Sequence, residues 1–201
     1  CYPRASSIVA VSKTAAEQLA YSINLNIDKI NIIYNPIDFK KLEALSYEEC
    51  EHPWFSDDST HVILGIGRLE PEKGFETLIR AFAIARMEIK ARLVIMGEGS
   101  LYNNLQQLIN DLNIKEDVIL WGYEKNPYRY LKKASVFALS SKFEALPTVV
   151  IEALFFNKKI ISTDCPGGLR EIIGEESGII LVPVGDYIEM AKALVASSNN
   201  E

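Results

Sequence analysis

The chain has 201 residues, of which 48% are hydrophobic and 24% charged, and its formal net charge is −6. This length and composition allow one large domain or two small ones with a sizeable core. The negative charge argues against general nucleic-acid binding and against a polybasic membrane patch. No apolar run reaches the roughly 18 residues of a membrane-span candidate.

The three cysteines are Cys1, Cys50 and Cys165, which are odd in number and far apart. This spacing favours neither a disulfide framework nor a zinc site, so we expect a reducing, cytoplasmic compartment. The chain begins with Cys rather than Met and has no signal-peptide pattern. We therefore expect it to be a fragment of a longer protein.

Strand-like apolar runs alternate with helical patterns along the chain. The predicted strands are Ile8–Val11, Ile30–Ile33, Val62–Ile66, Arg92–Met96, Val118–Trp121, Val136–Leu139, Lys159–Ser162 and Ile179–Val182. The predicted helices are Lys13–Ser22, Phe75–Ile89, Leu101–Leu112, Tyr128–Lys133, Thr148–Phe156 and Ile188–Ala196. This alternation predicts an α/β fold, with a Rossmann-like parallel sheet and helices on both faces. Right-handed crossovers bring the loops that follow the strands to one edge of the sheet.

The stretch Lys40–Thr60 is polar and lacks a clear period. We interpret it as a surface excursion with one helix near Phe39–Leu45. His52 and His61 lie in or beside it and are interpreted as surface residues rather than catalysts.

Arg68 and Lys73 follow the predicted strand Val62–Ile66, in a loop that ends at Gly74. Open α/β sheets bind ligands at the carboxyl ends of their strands. Arg binds phosphate through two parallel hydrogen bonds, and Lys acts as a mobile point charge. The alternative is a pair of ordinary surface charges, which is the usual state of such residues.

The segment Glu144–Ala153 places Glu144 and Glu152 eight positions apart, across a loop that opens into an apolar helix. A helix N-terminus suits an anion such as diphosphate, and carboxylates accept hydrogen bonds from sugar or ribose hydroxyls. The pair therefore indicates a ligand that is both anionic and rich in hydroxyls. The alternatives are a dipole-offsetting role for Glu144 and a core salt bridge for Glu152.

Metal ligands are not evident, because no two Asp residues are spaced i, i+2 as in a D-x-D motif. Cationic side chains would then replace a metal ion at the diphosphate. We therefore predict neither a metal nor a cofactor.

Together with four further segments, these two loops form a pattern that resembles retaining GT-B glycosyltransferases of group 1, also called family 4. Gly67–Gly74 is similar to that family's G-R-L-x-x-x-K-G stretch, and Glu144–Glu152 to its E-x7-E motif. The other matches are Asn35–Asp38, Gly97–Gly99, Trp121–Tyr123 and Gly167–Glu171. The resemblance runs in register from about Ser6 to Leu194 and implies the C-terminal, donor-binding half of the GT-B fold.

The resemblance implies a metal-independent transfer of a sugar from a UDP-sugar or another NDP-sugar to an acceptor hydroxyl, with retention, in polysaccharide or glycoconjugate synthesis. Arg68 and Lys73 would hold the donor diphosphate, Glu144 the transferred sugar and Glu152 the ribose. The implied catalytic residues are Arg68, Lys73 and Glu144. The implied donor-binding residues are Gly67, Arg68, Lys73, Gly122, Tyr123, Glu124, Glu144, Ala145, Leu146, Pro147, Thr148, Val149 and Glu152.

The E-x7-E loop departs from the family's usual E-G-F-G sequence, because Ala145 and Pro147 replace its glycines. Pro147 has no N–H to give to phosphate, so the amides of Leu146, Thr148 and Val149 are the remaining candidates. Two alternatives stay open elsewhere: Trp121 can be the aromatic end of a core strand, and Gly97–Gly99 can be a plain turn.

By the same resemblance, residues 1–34 are the edge of an N-terminal domain, and 35–201 form the nucleotide-sugar-binding domain. Asn35–Asp38 would be the hinge. The missing N-terminal domain would carry the acceptor site and any contact with the inner face of the membrane, so the fragment alone would be inactive. The alternatives are a module of the same fold that only binds or regulates, and a related sugar-nucleotide epimerase.

Overall fold

The computed structural model describes residues 5–56, 60–173 and 178–198. It begins with a small unit in which β1 (Ile8–Ala10) and β2 (Ile30–Ile32) form a two-stranded parallel sheet. Helix α1 (Lys13–Ser22) connects them, and the Ser12 side chain caps it by accepting a hydrogen bond from the Ala15 amide. This unit has its own apolar core, formed by Ile8, Ala10, Ala16, Ala20 and Ile30.

The main sheet has six strands, all paired in parallel. They are β3 (His61–Ile66), β4 (Ala91–Met96), β5 (Val118–Gly122), β6 (Val136–Leu139), β7 (Lys159–Thr163) and β8 (Ile179–Val182). Their order is β5-β4-β3-β6-β7-β8. The predicted Rossmann-like parallel sheet is confirmed, with the strand bounds shifted by one residue or less.

Helices cover both faces of this sheet, as predicted. They are α2 (Phe39–Ser46), α3 (Pro53–Ser56), α4 (Phe75–Ala85), α5 (Tyr102–Asp111), α6 (Tyr128–Lys133), α7 (Thr148–Phe155), α8 (Leu169–Ile172) and α9 (Tyr187–Ser198). Helix α4 ends four residues before the predicted Ile89. Helices α3 and α8 were not predicted, because four residues are too few to show a helical period. Within the described ranges, every helix is too short or too polar to cross a membrane.

The core lies in two layers, one on each face of the main sheet. Helices α4, α5 and α9 pack on one face, and α3, α6, α7 and α8 pack on the other. Neighbouring residues of β3 face opposite layers, so Ile63 belongs to the first and Leu64 to the second, and both are fully buried. Burial on both faces explains why the central strands are continuous apolar runs.

The segment predicted as a surface excursion is in part a layer of the core. Cys50 and Phe55 are buried, and the half-buried His52 packs against the rings of Trp54 and Trp121. Burial lowers the pKa of His52. The prediction was wrong for this segment because its few apolar residues follow no period; residues 57–59 lie outside the described ranges.

Residues 33–38 connect β2 to α2 without regular structure, and the Asp38 carboxylate caps α2 by accepting a 3.0 Å hydrogen bond from the Lys41 amide. The domain boundary after residue 34 and the hinge stay predictions. Cys50 and Cys165 are free, buried thiols, and Cys1 lies outside the described residues.

Candidate active site

The direction of the strand order reverses between β3 and β6. From β3 the chain moves outward through β4 and β5, and it then returns to place β6 on the other side of β3. Loops diverge at such a point and leave a crevice, where parallel sheets bind their ligands. The two loops that border this crevice are residues 67–74 after β3 and residues 140–147 after β6.

A largely buried ion pair joins these two loops. The Lys73 Nζ donates to Glu144 Oε1 at 2.7 Å, and the Ser141 hydroxyl donates to the same oxygen at 2.7 Å. The side chains of Lys73 and Glu144 are only 20% and 10% exposed. Glu144 Oε2 accepts no hydrogen bond from the described residues, so it is available to a ligand hydroxyl.

Two hydrogen bonds to backbone carbonyls also hold the two loops together. The Ser140 hydroxyl donates to the Lys73 carbonyl at 2.8 Å, and the Lys142 amide donates to the Glu72 carbonyl at 2.7 Å. Glu144 lies four residues before α7 and is paired with Lys73, which favours the ligand-site interpretation over the dipole-offsetting one.

Arg68 lines a neighbouring cleft of about 420 Å³. The other residues that line it are Ile66, Gly67, Met96, Gly97, Glu98, Tyr123, Glu124 and Pro127. The Arg68 side chain is 73% exposed, and its Nη2 donates to Glu72 Oε1 at 2.8 Å. Its other N–H groups donate to no described residue, so the guanidinium retains donors for a phosphate.

The loops after β3, β4 and β5 are joined to one another around this cleft. The Gly67 amide donates to the Met96 carbonyl at 2.9 Å, and the Gly97 amide donates to the Gly122 carbonyl at 2.7 Å. Gly97 has a φ of +145°, and a Cβ on it would lie 1.9 Å from the Gly67 carbonyl oxygen. The turn at Gly97 therefore sets the floor of the cleft.

We expect Gly97→Ala to lower the free energy of unfolding by about 3 kcal/mol or more, because it combines backbone strain with a clash against fixed backbone. Gly185→Ala is the matched control. Gly185 also has a positive φ, +79°, but no atom lies within 4 Å of the added Cβ. Urea unfolding of both variants measures the difference, and equal losses would contradict the close contact of the Gly67 and Gly97 loops.

The end of β5 lies in the core, and the residues just after it lie at the cleft. Trp121 packs against Tyr130 with a ring-centroid distance of 4.9 Å, so it is the aromatic end of a core strand. Tyr123 is 72% exposed at the rim of the cleft. Glu124 accepts a 2.8 Å hydrogen bond from the Asn126 amide and lies 3.6 Å from Arg129, so local partners occupy much of this carboxylate.

The N-terminus of α7 offers fewer amides than predicted. The Thr148 amide donates to the Leu146 carbonyl at 2.9 Å, which corrects its assignment as a free donor. Pro147 precedes the helix and forces this tight turn. The amides of Leu146 and Val149 donate to no described residue and remain candidates, while Ala145 is exposed.

Glu152 is half-buried on α7, and no hydrogen bond or ion pair from the described residues reaches its carboxylate. Burial raises the pKa of Glu152. Burial and, to a smaller extent, the charge of Glu152 raise the pKa of Tyr128, which follows Pro127 at the cleft. The core salt bridge considered for Glu152 is not found, and a carboxylate left without a partner is suited to a ligand hydroxyl.

Ser141 and Glu72 are two polar contacts that the sequence motifs did not single out. Ser141 holds Glu144, and Glu72 holds Arg68, so each orients a predicted site residue. Glu72 directly precedes Lys73, and Ser141 lies three positions before Glu144. This proximity to predicted site residues is the sequence signal that could have identified them. No group of three or more His, Cys, Asp or Glu side chains in the described ranges is placed to hold a metal ion; the metal-free site stays a prediction.

The six parallel strands, with a crevice where their order reverses, form a Rossmann-like α/β fold. Residues 47–201 match the model of glycosyl transferases group 1, and the chain belongs to this family. Over 98% of its length it matches the structure of Anabaena HepE in complex with UDP and glucose, of which it covers 54%. The TM-score is 0.82 and the sequence identity 20%.

Curated relatives agree with this assignment. The chain is 37% identical to N-acetylgalactosamine-N,N'-diacetylbacillosaminyl-diphospho-undecaprenol 4-alpha-N-acetylgalactosaminyltransferase of Campylobacter jejuni, covering 96% of this chain and 51% of that protein. It is 43% identical over 156 residues to an uncharacterized glycosyltransferase of Methanocaldococcus jannaschii, covering 76% of this chain and 38% of that protein. The chain thus spans about half the length, or less, of these relatives.

Proposed function

We propose that this chain is the donor-binding domain of a glycosyltransferase that transfers a sugar from a UDP-sugar to an acceptor hydroxyl, with retention and without a metal ion. The observation that carries the proposal is the largely buried Lys73–Glu144 pair, which joins the β3 and β6 loops at the strand-order reversal. The pair places the Lys73 ammonium, which can bind phosphate, beside the Glu144 carboxylate, which can accept hydrogen bonds from hydroxyls. Family membership and the UDP complex of a protein with the same fold support it.

The donor would lie along the crevice with its diphosphate between Arg68, Lys73 and the amides of Leu146 and Val149. Two cations and a helix N-terminus together favour an anion at this position. Glu144 Oε2 would accept from a hydroxyl of the transferred sugar. The ribose would reach Glu152, and the base would enter the cleft at Tyr123.

In the reaction, the acceptor oxygen forms a bond to the anomeric carbon, and the bond between that carbon and the diphosphate oxygen breaks. The acceptor proton passes to a diphosphate oxygen, and UDP leaves. For retention, the acceptor approaches from the face that the diphosphate leaves. Arg68 and Lys73 stabilise the charge that grows on the leaving diphosphate, which lowers the barrier directly.

The names of the relatives narrow the proposed substrates. The Campylobacter jejuni enzyme is named for N-acetylgalactosaminyl transfer to a diphospho-undecaprenol-linked saccharide. An Escherichia coli relative, 29% identical over 161 residues, is a lipopolysaccharide 1,6-galactosyltransferase. We propose UDP-N-acetylgalactosamine or UDP-galactose as donor and a membrane-linked saccharide as acceptor. Further protein would then supply the acceptor site and the contact with the cytoplasmic face of the membrane.

We expect UDP to raise the melting temperature of the protein, because a ligand that binds only the folded state opposes unfolding. At a UDP concentration a hundred times Kd the stabilisation is about 2.7 kcal/mol, or roughly 5 to 10 °C for a domain of this size. Thermal melts with UDP, GDP and ADP in the presence of chelator provide the measurement. No shift at millimolar concentration of any of the three would contradict a donor site.

UDP release separates the transferase from its two alternatives. A transferase given a UDP-sugar and an acceptor releases UDP and forms a glycoside. A module that only binds leaves the UDP-sugar intact. An epimerase changes the sugar without needing an acceptor.

A further inference from the structure

The carboxylate of Glu171 joins α8 to the N-terminus of α1. Its Oε2 accepts from the Lys13 amide at 2.9 Å and from the Tyr34 hydroxyl at 3.0 Å. Its Oε1 accepts from the Thr14 amide and the Thr14 hydroxyl, both at 2.8 Å. The partners lie 137 to 158 positions earlier in the chain, in the small unit of β1, α1 and β2 and in the residues just after it.

This contact has the chemistry of a helix cap supplied from elsewhere in the fold. The first amides of a helix have no partner inside it, and they form the positive end of its dipole. Ser12 satisfies the Ala15 amide, and Glu171 satisfies those of Lys13 and Thr14. Partial desolvation raises the pKa of Glu171, but the hydrogen bonds from Thr14 and Lys13 outweigh it and leave this pKa below its ordinary value. The group is therefore ionised at neutral pH.

Helix α8 is also attached to the loop that carries Glu144. The Glu144 amide donates to the Pro166 carbonyl at 3.0 Å, and the Gly168 amide donates to the carbonyls of Glu144 and Ala145, both at 3.1 Å. The two segments touch so closely that a Cβ on Gly167 would lie 1.5 Å from the Glu144 carbonyl oxygen. The backbone of Glu144 is therefore bonded to residues 166–168, which lead directly into α8.

We propose that Glu171 is a positioning residue for the transfer reaction: by holding the N-terminus of α1, it fixes α8 and, through the Gly167–Gly168 contact, sets where Glu144 stands. The proposal rests on the proposed function, because the position of Glu144 affects the rate only if Glu144 contacts the donor sugar.

The energetics separate this role from a stabilising one. The network around Glu171 is exposed, and exposed charged contacts contribute little to stability. Misplacement of a reacting group by about 1 Å, by contrast, costs up to about a hundredfold in rate. A small displacement of Glu144 is therefore expected to lower the turnover rate much more than the melting temperature.

The test is Glu171→Gln in the full-length protein, because the amide keeps the size of the side chain but cannot accept all four hydrogen bonds. We expect kcat for UDP release, measured with UDP-N-acetylgalactosamine or UDP-galactose, to fall about tenfold. KM for the donor and the affinity for UDP should stay within about twofold, and the melting temperature within about 2 °C.

Arg170→Gln is the matched control. Arg170 precedes Glu171 on the same short helix and binds Asp164 through two hydrogen bonds of 2.8 and 2.6 Å, without reaching α1. It should keep kcat within about twofold. Thr14→Val, which removes one of the four donors, should give an intermediate loss of about threefold. A parent-like kcat for Glu171→Gln, or an equal loss for Arg170→Gln, would overturn the proposal.

Hydrogen exchange of the same variants gives a readout that needs no activity. Glu171→Gln should speed exchange at the amides of Glu144 and Gly168, and Arg170→Gln should not. Unchanged exchange in Glu171→Gln overturns the positioning role. If the parent neither binds UDP nor releases it from UDP-sugars, the proposed function fails, while this comparison still decides whether Glu171 holds the Glu144 loop.

Discussion

Lys73→Ala is expected to lower the turnover of the full-length enzyme about a hundredfold, and Arg68→Ala should have a similar effect. Each residue is proposed to stabilise charge that grows on the diphosphate as the bond to the sugar breaks. Steady-state kinetics with a UDP-sugar measures the loss. Added magnesium should rescue neither variant, and a chelator should not inhibit the parent enzyme.

The chain offers matched controls for both substitutions. Lys142 is an exposed lysine in the neighbouring loop, and Arg80 forms an exposed pair with Glu76 of the same i,i+4 kind that Arg68 forms with Glu72. Lys142→Ala and Arg80→Ala should keep turnover within about threefold. Equal losses in these controls would show that general charge, not position, is responsible. Inhibition by chelator would contradict the metal-free mechanism.

Glu144→Gln and Glu152→Gln are expected to separate sugar binding from nucleotide binding. Glu152→Gln should weaken UDP and UDP-sugar alike, by about ten- to a hundredfold, because a hydrogen bond to a charged group is worth roughly 1.5–3 kcal/mol. Glu144→Gln should cut transfer and leave the affinity for bare UDP nearly unchanged. Calorimetric titration with UDP and with the UDP-sugar provides the comparison. If both variants bound UDP as tightly as the parent, Glu152 would be a structural helix acid.

The same two variants should differ in their free energy of unfolding at neutral pH. Burial raises the pKa of Glu152 in the folded state, so ionisation of this group costs stability, increasingly as the pH rises above its unfolded value. Glu152→Gln removes that cost, and its free energy of unfolding should equal or exceed that of the parent. Glu144→Gln removes a partner of the largely buried Lys73 and should destabilise by about 1–3 kcal/mol.

Much of the fold could be predicted because burial leaves a direct trace in the sequence. The central strands are covered on both faces and form short apolar runs, as at Val62–Ile66 and Val136–Leu139. The alternation of these runs with helical patterns predicts the parallel sheet. It does not predict the strand order, which brings Lys73 within 2.7 Å of Glu144 across 71 positions of sequence.

The features that were not predicted depend on three-dimensional geometry that residue spacing does not encode. The turn at Pro147 uses the Thr148 amide, and only the backbone conformation shows that Leu146 accepts it. Helix α8 is four residues long, too short to show a period, so the role of Glu171 as a cap on α1 has no local signal. The burial of His52 depends on Trp121, which is distant in sequence.

A structure of the full-length protein with UDP tests the central claim most directly. The account predicts that the diphosphate lies about 3 Å from Lys73 Nζ and from the Arg68 guanidinium, with a ribose hydroxyl on Glu152. A second hollow, of about 860 Å³, lies between α2 and α6 and is lined by residues such as Cys50, Lys132 and Lys133. UDP bound there, or with its diphosphate anywhere other than the crevice between the β3 and β6 loops, would contradict the account.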